Sequence, residues 1–188
     1  KKPYMNWKKV LLSVVLGVVV IFGAIFAYMV LTTRNHSPAD TATYSSGGLT
    51  ATVDYCRPYK KGRVIFGTQD EGALQPYGKY WRVGANEATE LELSKDVTVM
   101  GSTLEAGRYV IYAIPDKSEW TVGFNTDLGR WGYSEVDYEK DVLQVKVPSM
   151  ALDEPIEQFT IDFASQGEDI IMNLKWDNTL VPISIRPI

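Results

Sequence analysis

The stretch ATELELSKDVTVMGSTLEAGRYVIYAI, residues 88–114, decides the fold. Leu91 and Leu93, then Val97 and Val99, then Tyr109, Ile111 and Ala113 recur at every second position, with Glu92 and Thr98 between the first two pairs. Period two is the mark of a strand with one buried face. Met100-Gly101-Ser102 and Glu105-Ala106-Gly107 break the pattern where turns are needed. The same texture continues on both sides in LTATVDY (49–55), EWTVGFN (119–125), VLQVKV (142–147), QFTIDFA (158–164), IIMNLKW (170–176) and LVPISI (180–185). Ile114-Pro115-Asp116, Gln166-Gly167-Glu168 and Trp176-Asp177-Asn178 punctuate these runs. Short strands at such spacing predict an all-β domain, an antiparallel β-sandwich or jelly-roll-like fold over residues 49–188. Residues 149–157 are expected to connect two sheets.

Ahead of this domain, VLLSVVLGVVVIFGAIFAYMVL (residues 10–31) is uncharged and apolar except for Ser13 and Tyr28. As a helix it reaches about 33 Å, enough for a hydrocarbon core of ~30 Å. The run is longer than the hydrophobic region of a cleaved signal peptide, so an uncleaved transmembrane anchor is expected. Lys1, Lys2, Lys8 and Lys9 precede it and only Arg34 follows closely. That bias predicts a cytoplasmic N-terminus (residues 1–9) and an extracytoplasmic domain. Ser13, Gly17, Ala24 and Ala27 share one face, and Gly23 with Ala27 has small-xxx-small spacing, a surface on which another membrane helix can pack closely. Residues 32–48, TTRNHSPADTATYSSGG, read as a flexible linker and hold the only histidine, His36.

The formal net charge of −4 and the absence of nucleic-acid-binding signatures argue against a nucleic-acid partner. One histidine, placed in the linker, argues against Ser-His-Asp or Cys-His hydrolysis and against His-based zinc sites. No phosphate loop, dinucleotide fingerprint or calcium loop is present, so neither a cofactor nor a metal is expected. A carboxylate-dependent hydrolase would need two acidic groups at ~5–10 Å, drawn from such residues as Glu87, Glu90, Glu92, Asp137, Glu139 and Asp141. No catalytic residue is assigned. The single cysteine, Cys56, is expected to be buried.

A basic, aromatic cluster stands out instead. YCRPYKKGR (55–63) and YGKYWRVGANE (77–87) carry Arg57, Lys60, Lys61, Arg63, Lys79 and Arg82 among Tyr55, Tyr59, Tyr77, Tyr80 and Trp81. As neighbouring loops they would form a site for a glycan, another anionic ligand or a partner, with Arg57, Lys60, Arg63, Tyr80, Trp81, Arg82, Asn86 and Glu87 as its candidate residues. The rival reading pairs Arg57 with Asp54 and Arg82 with Glu87, merely fixing the loops. Aromatics on one exposed face would favour the binding reading, and inward packing would sink it. Gly84-Ala85-Asn86-Glu87 is a turn in either case.

YCRPYKKGRVIFG, PYGKYWRVGANEATELELSKDVTVMGSTLEAGRYVIYAIP, EWTVGFN, DVLQVKV, FTIDF and LKWDNTLVPISI together resemble the bacterial domain-of-unknown-function family numbered 2911, over about residues 47–185. The resemblance implies an exported, β-rich envelope domain and no established activity. That family usually has Ser where this chain has Cys56, so it implies no thiol chemistry. The added membrane helix sets this chain apart from its secreted or lipid-anchored relatives. It suggests an inner-membrane protein with a periplasmic domain, acting as a non-enzymatic accessory subunit beside other integral membrane proteins. A glycan- or anion-binding module is the alternative.

Overall fold

The computed structural model describes residues 7–188, so Lys1 and Lys2 of the basic N-terminus lie outside the described residues. Two compact units divide the chain, Lys1–His36 and Ser37–Ile188. Within the first, α1 (Trp7–His36) is 30 residues long. Most of its described side chains are exposed, Leu12 and Phe22 at 69% each. A helix that is apolar on all sides is suited to a lipid environment. By length and composition it can cross a membrane, a requirement that a signal sequence near an N-terminus also meets. Gly17 and Gly23 leave open space where a Cβ would sit, and the Ser13 hydroxyl donates to the Lys9 carbonyl of its own helix.

The second unit is an antiparallel sandwich. Its strands are β1 (Ala39–Ser46), β2 (Leu49–Cys56), β3 (Phe66–Gly67), β4 (Gln75–Pro76), β5 (Thr89–Leu93), β6 (Val97–Val99), β7 (Ser102–Leu104), β8 (Gly107–Ile114), β9 (Glu119–Asn125), β10 (Asp141–Pro148), β11 (Met150–Gln166) and β12 (Asp169–Pro187). One sheet runs β1-β2-β5-β8-β9-β10 and the other β11-β12-β6-β7, with β3 and β4 forming a small parallel pair. The chain crosses between the two sheets at Ser94–Asp96, Glu105–Ala106 and Ser149. Leu49, Ala51, Val53, Leu91, Leu93, Ile111, Ala113, Val122 and Phe124 from the first sheet meet Phe159, Ile161, Met172, Leu174, Trp176, Val181, Ile183 and Ile185 from the second. Alternation read from the sequence is therefore the alternation that fills the core.

Three expectations need correction. Residues 32–48 are not a flexible linker: α1 continues to His36, and Ala39–Ser46 pairs along its whole length with β2. Gly47 and Gly48, at φ +59° and +77°, form the two-residue turn of that hairpin. Glycines accept the positive φ that such a turn demands of both central residues. The second correction concerns residues 149–157. Only Ser149 links the sheets, and the rest belongs to β11, whose pairing with β12 slips on both sides of Ile156. Third, Trp176-Asp177-Asn178 does not separate two strands. Asp177 adopts φ +53° inside the continuous β12, and the Lys60 ammonium binds its carboxylate.

On the outer face of the larger sheet, Arg108 on β8 reaches Asp54, Glu90 and Glu92, on β2 and β5. Asp54 and Glu90 are direct cross-strand partners, a like-charge pair that Arg108 neutralises. Farther along the same face, Val110 and Tyr112 of β8 are buried together with Tyr80 and Val136. β8 is thus covered on both sides. Tyr112 lies across from Gly123 of β9, and a Cβ at Gly123 would come within 2.1 Å of the Tyr112 ring. The ring occupies the space that the glycine leaves open.

Gly123→Ala should push Tyr112 off this seat, away from Tyr80 and from its 2.6 Å bond to Asp141. The expected loss is about 1–3 kcal/mol, from overpacking. It would be read as a lower urea midpoint at unchanged slope; an unchanged midpoint would show that the ring has another place to go.

Candidate functional site

Trp81 forms an isolated bridge with Ala113 of β8, exchanging two 2.8 Å backbone hydrogen bonds. That short pairing imposes strand alternation on Tyr80-Trp81-Arg82. Trp81 turns into the core at 1% exposure, while Tyr80 packs on the outer face, stacked on Tyr112 with ring centroids 5.6 Å apart. Arg82 follows on the outer side.

The chain then turns sharply. Val83 (φ +54°), Gly84 (φ +137°) and Asn86 (φ +58°) all lie at positive φ. A buried β-branched residue in this region is strained by about 1–3 kcal/mol. The Thr89 hydroxyl, donating to the Val83 carbonyl, helps to hold it there. Gly84 admits no side chain, because a Cβ would lie 2.9 Å from the Cys56 carbonyl. Asn86 is buried and donates from Nδ2 to the Ser37 carbonyl at 3.2 Å. It therefore fixes the turn from inside and is not displayed at the tip.

A second loop is fastened onto this turn. Ala88 N–H donates to the Arg130 carbonyl, Gly132 N–H donates to the Asn86 carbonyl, and Glu87 bridges Trp131. Trp131 and Tyr133 are left 61% and 64% exposed. Arg130 is occupied by Asp127, the Ser134 hydroxyl and the Ser134 and Glu135 carbonyls.

Arg82 has no such partner. Among the described residues it forms no ion pair, and its one side-chain hydrogen bond is a long 3.4 Å contact from Nη1 to the Asn86 carbonyl. Burial holds its guanidinium below the usual arginine range, a tendency that nearby Tyr80, Cys56 and Tyr133 oppose. Burial likewise pushes the Tyr80 phenol up to about 12, against the pull of Arg130 and Arg82. Beneath the turn, the Cys56 thiol points at Glu87 Oε2 at 3.3 Å. Burial first, and then the Glu87 carboxylate, raise its pKa, so the sulfur is held as a thiol.

The structure divides the residues singled out in the sequence. Arg57 does not pair with Asp54: it donates to Asp40, the Phe159 carbonyl and the Thr160 hydroxyl, tying β1 to β11 across the two sheets. Lys60 pins Asp177, and Arg63 caps its own turn through the Tyr59 and Lys60 carbonyls. Trp81 is core, and Tyr55 and Tyr80 are 4% and 6% exposed. Tyr55, Tyr80 and Trp81 are thus buried, and Arg57, Lys60 and Arg63 are each engaged by groups of the fold. Only Arg82, Asn86 and Glu87 gather around one turn. The exposed rings beside them, Trp131 and Tyr133, come from a loop in which sequence reading weighed only the acidic residues. RWGY (130–133), two aromatics around a glycine between strands, was the available signal.

The family model described as Protein of unknown function (DUF2911) matches residues 37–185. The chain belongs to this family. The match starts at Ser37, where the compact β unit starts, so β1 is part of the family domain. No curated protein and no solved structure matches the chain.

A raised Cys56 pKa has a definite sign. The folded state binds the thiol proton more tightly than the unfolded chain, so this stabilisation is present below the ordinary thiol range of ~8.5 and is lost as pH rises through the folded value. Iodoacetamide labelling followed by mass spectrometry should be slower for folded than for urea-unfolded protein at pH 8, with a pH midpoint displaced upward. A midpoint at or below the ordinary value would contradict the geometry.

Proposed function

We propose that this chain is a membrane-tethered binding module for acidic glycans, with its site on the outer face of the larger sheet at Arg82, Trp131 and Tyr133. The observation that carries the reading is Arg82, a half-buried guanidinium with no carboxylate partner among the described residues, beside a strained turn. Burying a cation without a counter-charge is costly, and an incoming anion relieves that cost. A guanidinium suits a carboxylate because its fork can donate two parallel hydrogen bonds. Trp131 and Tyr133 offer exposed ring faces beside it, as stacking on a sugar ring requires. In this reading α1 is the tether and the site faces the extracytoplasmic side. The protonated thiol of Cys56 supports a binding role over a nucleophilic one.

Galacturonate oligomers titrated into the full chain in detergent give the test. Arg82→Ala should weaken binding at least tenfold and flatten its salt dependence. Arg82→Lys should recover only part, and Trp131→Ala should weaken both acidic and neutral oligomers. Binding indifferent to Arg82, or none by the wild type, would overturn the proposal.

A second reading is favoured by the open faces of Gly17 and Gly23 on α1. There the helix is the working element, packing with Ser13, Ala24 and Ala27 against integral membrane subunits. Gentle-detergent purification of the full chain, with and without Gly17→Leu and Gly23→Leu, should then recover a defined set of membrane proteins only with the native helix. Recovery that ignores both substitutions would leave α1 a tether.

A further inference from the structure

The core holds an unpaid polar debt at one end of the sandwich. Trp81, Trp120, Phe159 and Trp176 form a cluster of buried rings, with Trp81 and Trp176 stacked at 6.0 Å and 24°. The indole Nε1–H groups of Trp81 and Trp176 are buried and have no acceptor among the described residues. An unpaired buried donor is costly, and nearly all such groups in folded proteins are paired. Phenylalanine at either position would pack without that cost. The gap that these rings line with Thr179 has no room for a water molecule, so no solvent bridge relieves them there.

Phe66 closes this gap. Its ring lies 4.7 Å from Trp120 and 5.3 Å from Trp81, yet it is only partly buried, unlike the other rings of the cluster. Its outer side faces an open recess of about 500 Å³, lined by Val64, Thr68, Glu71, Tyr77 and Lys117. The residue sits on the two-residue strand β3, paired with the equally short β4 and anchored by the buried Ile65 beside it. Thus one partly buried ring lies between an open recess and two tryptophans whose indole donors lack acceptors among the described residues.

We infer that Phe66 is the plug of a second ligand site, in which a small planar, largely apolar molecule carrying a carbonyl oxygen replaces the Phe66 ring and accepts a hydrogen bond from the Trp81 or Trp176 indole. The plug turns out into the recess, which has the volume to receive it. A neutral acceptor fits better than an anion, because two N–H groups among aromatic walls do not repay the desolvation of a full charge. This site is independent of the acidic-glycan reading: Trp81 faces the core while its neighbour Arg82 faces outward.

The test uses the full chain in detergent with its tryptophan indoles labelled with ¹⁵N, so that each Nε1–H reports separately. The probe is 1-methyl-2-pyridone, a planar ring with a strong acceptor and no donor; toluene is the control of similar shape without the acceptor. The expected result is a saturable downfield shift at Trp81 or Trp176, at pyridone concentrations at least tenfold below those at which toluene acts. Trp176→Phe, which keeps a ring and removes one donor, should weaken pyridone binding or leave Trp81 as the sole responder, with toluene unaffected; Phe66→Ala should ease entry of both probes. Equal response to the two probes, no shift at either buried indole, or a shift confined to Trp131 would overturn the inference. The last outcome would place the probe at the glycan surface instead.

Discussion

The structure turns on the bridge between Trp81 and Ala113. A single pair of backbone hydrogen bonds lays a loop residue along β8 and forces its neighbours to alternate. Trp81 thereby reaches the aromatic end of the core, and Tyr80 seals the outer face over Tyr112. Arg82 is set beside the strained turn at Val83.

The outer face of β8 shows what the bridge makes possible. A sandwich strand usually buries one face and wets the other. Here Val110 and Tyr112 are as buried as Ile111 and Ala113, because two loops fold over them. Those loops are joined by backbone hydrogen bonds from Ala88 and Gly132. Covering the sheet in this way leaves a rim where Trp131 and Tyr133 emerge beside a half-buried guanidinium. The stability of the covered face and the candidate site share one origin.

The charges are divided between two tasks. Arg57, Lys60, Arg63, Arg108 and Arg130 are engaged in holding strands, bulges and turns together. Exposed pairs of this kind are individually weak, but Arg57 and Arg108 each join several strands at once, which fixes geometry more than it adds energy. Arg82 stands apart, since among the described residues no carboxylate engages it.

The sequence by itself determined the class of the fold, because strand periodicity is local: LTATVDY, ATELELS and RYVIYAI alternate, and their alternating residues are the buried ones. It determined an apolar helix long enough for a membrane, and the family to which the domain belongs. It also placed a sharp turn at Gly84-Ala85-Asn86-Glu87. What only the tertiary structure decided is which partners those residues take. Spacing suggested Asp54 for Arg57, but Asp54 faces Arg108 while Arg57 spans to the other sheet. The Gly47-Gly48 hairpin has the composition of a linker, because small polar residues serve both, and pairing with β2 is a long-range fact about register. Tyr80, Trp81 and Arg82 are adjacent in sequence yet occupy opposite sides of a sheet, whereas Arg82 and Tyr133 are distant in sequence and neighbours in space. Local chemistry set the elements; non-local packing chose the site.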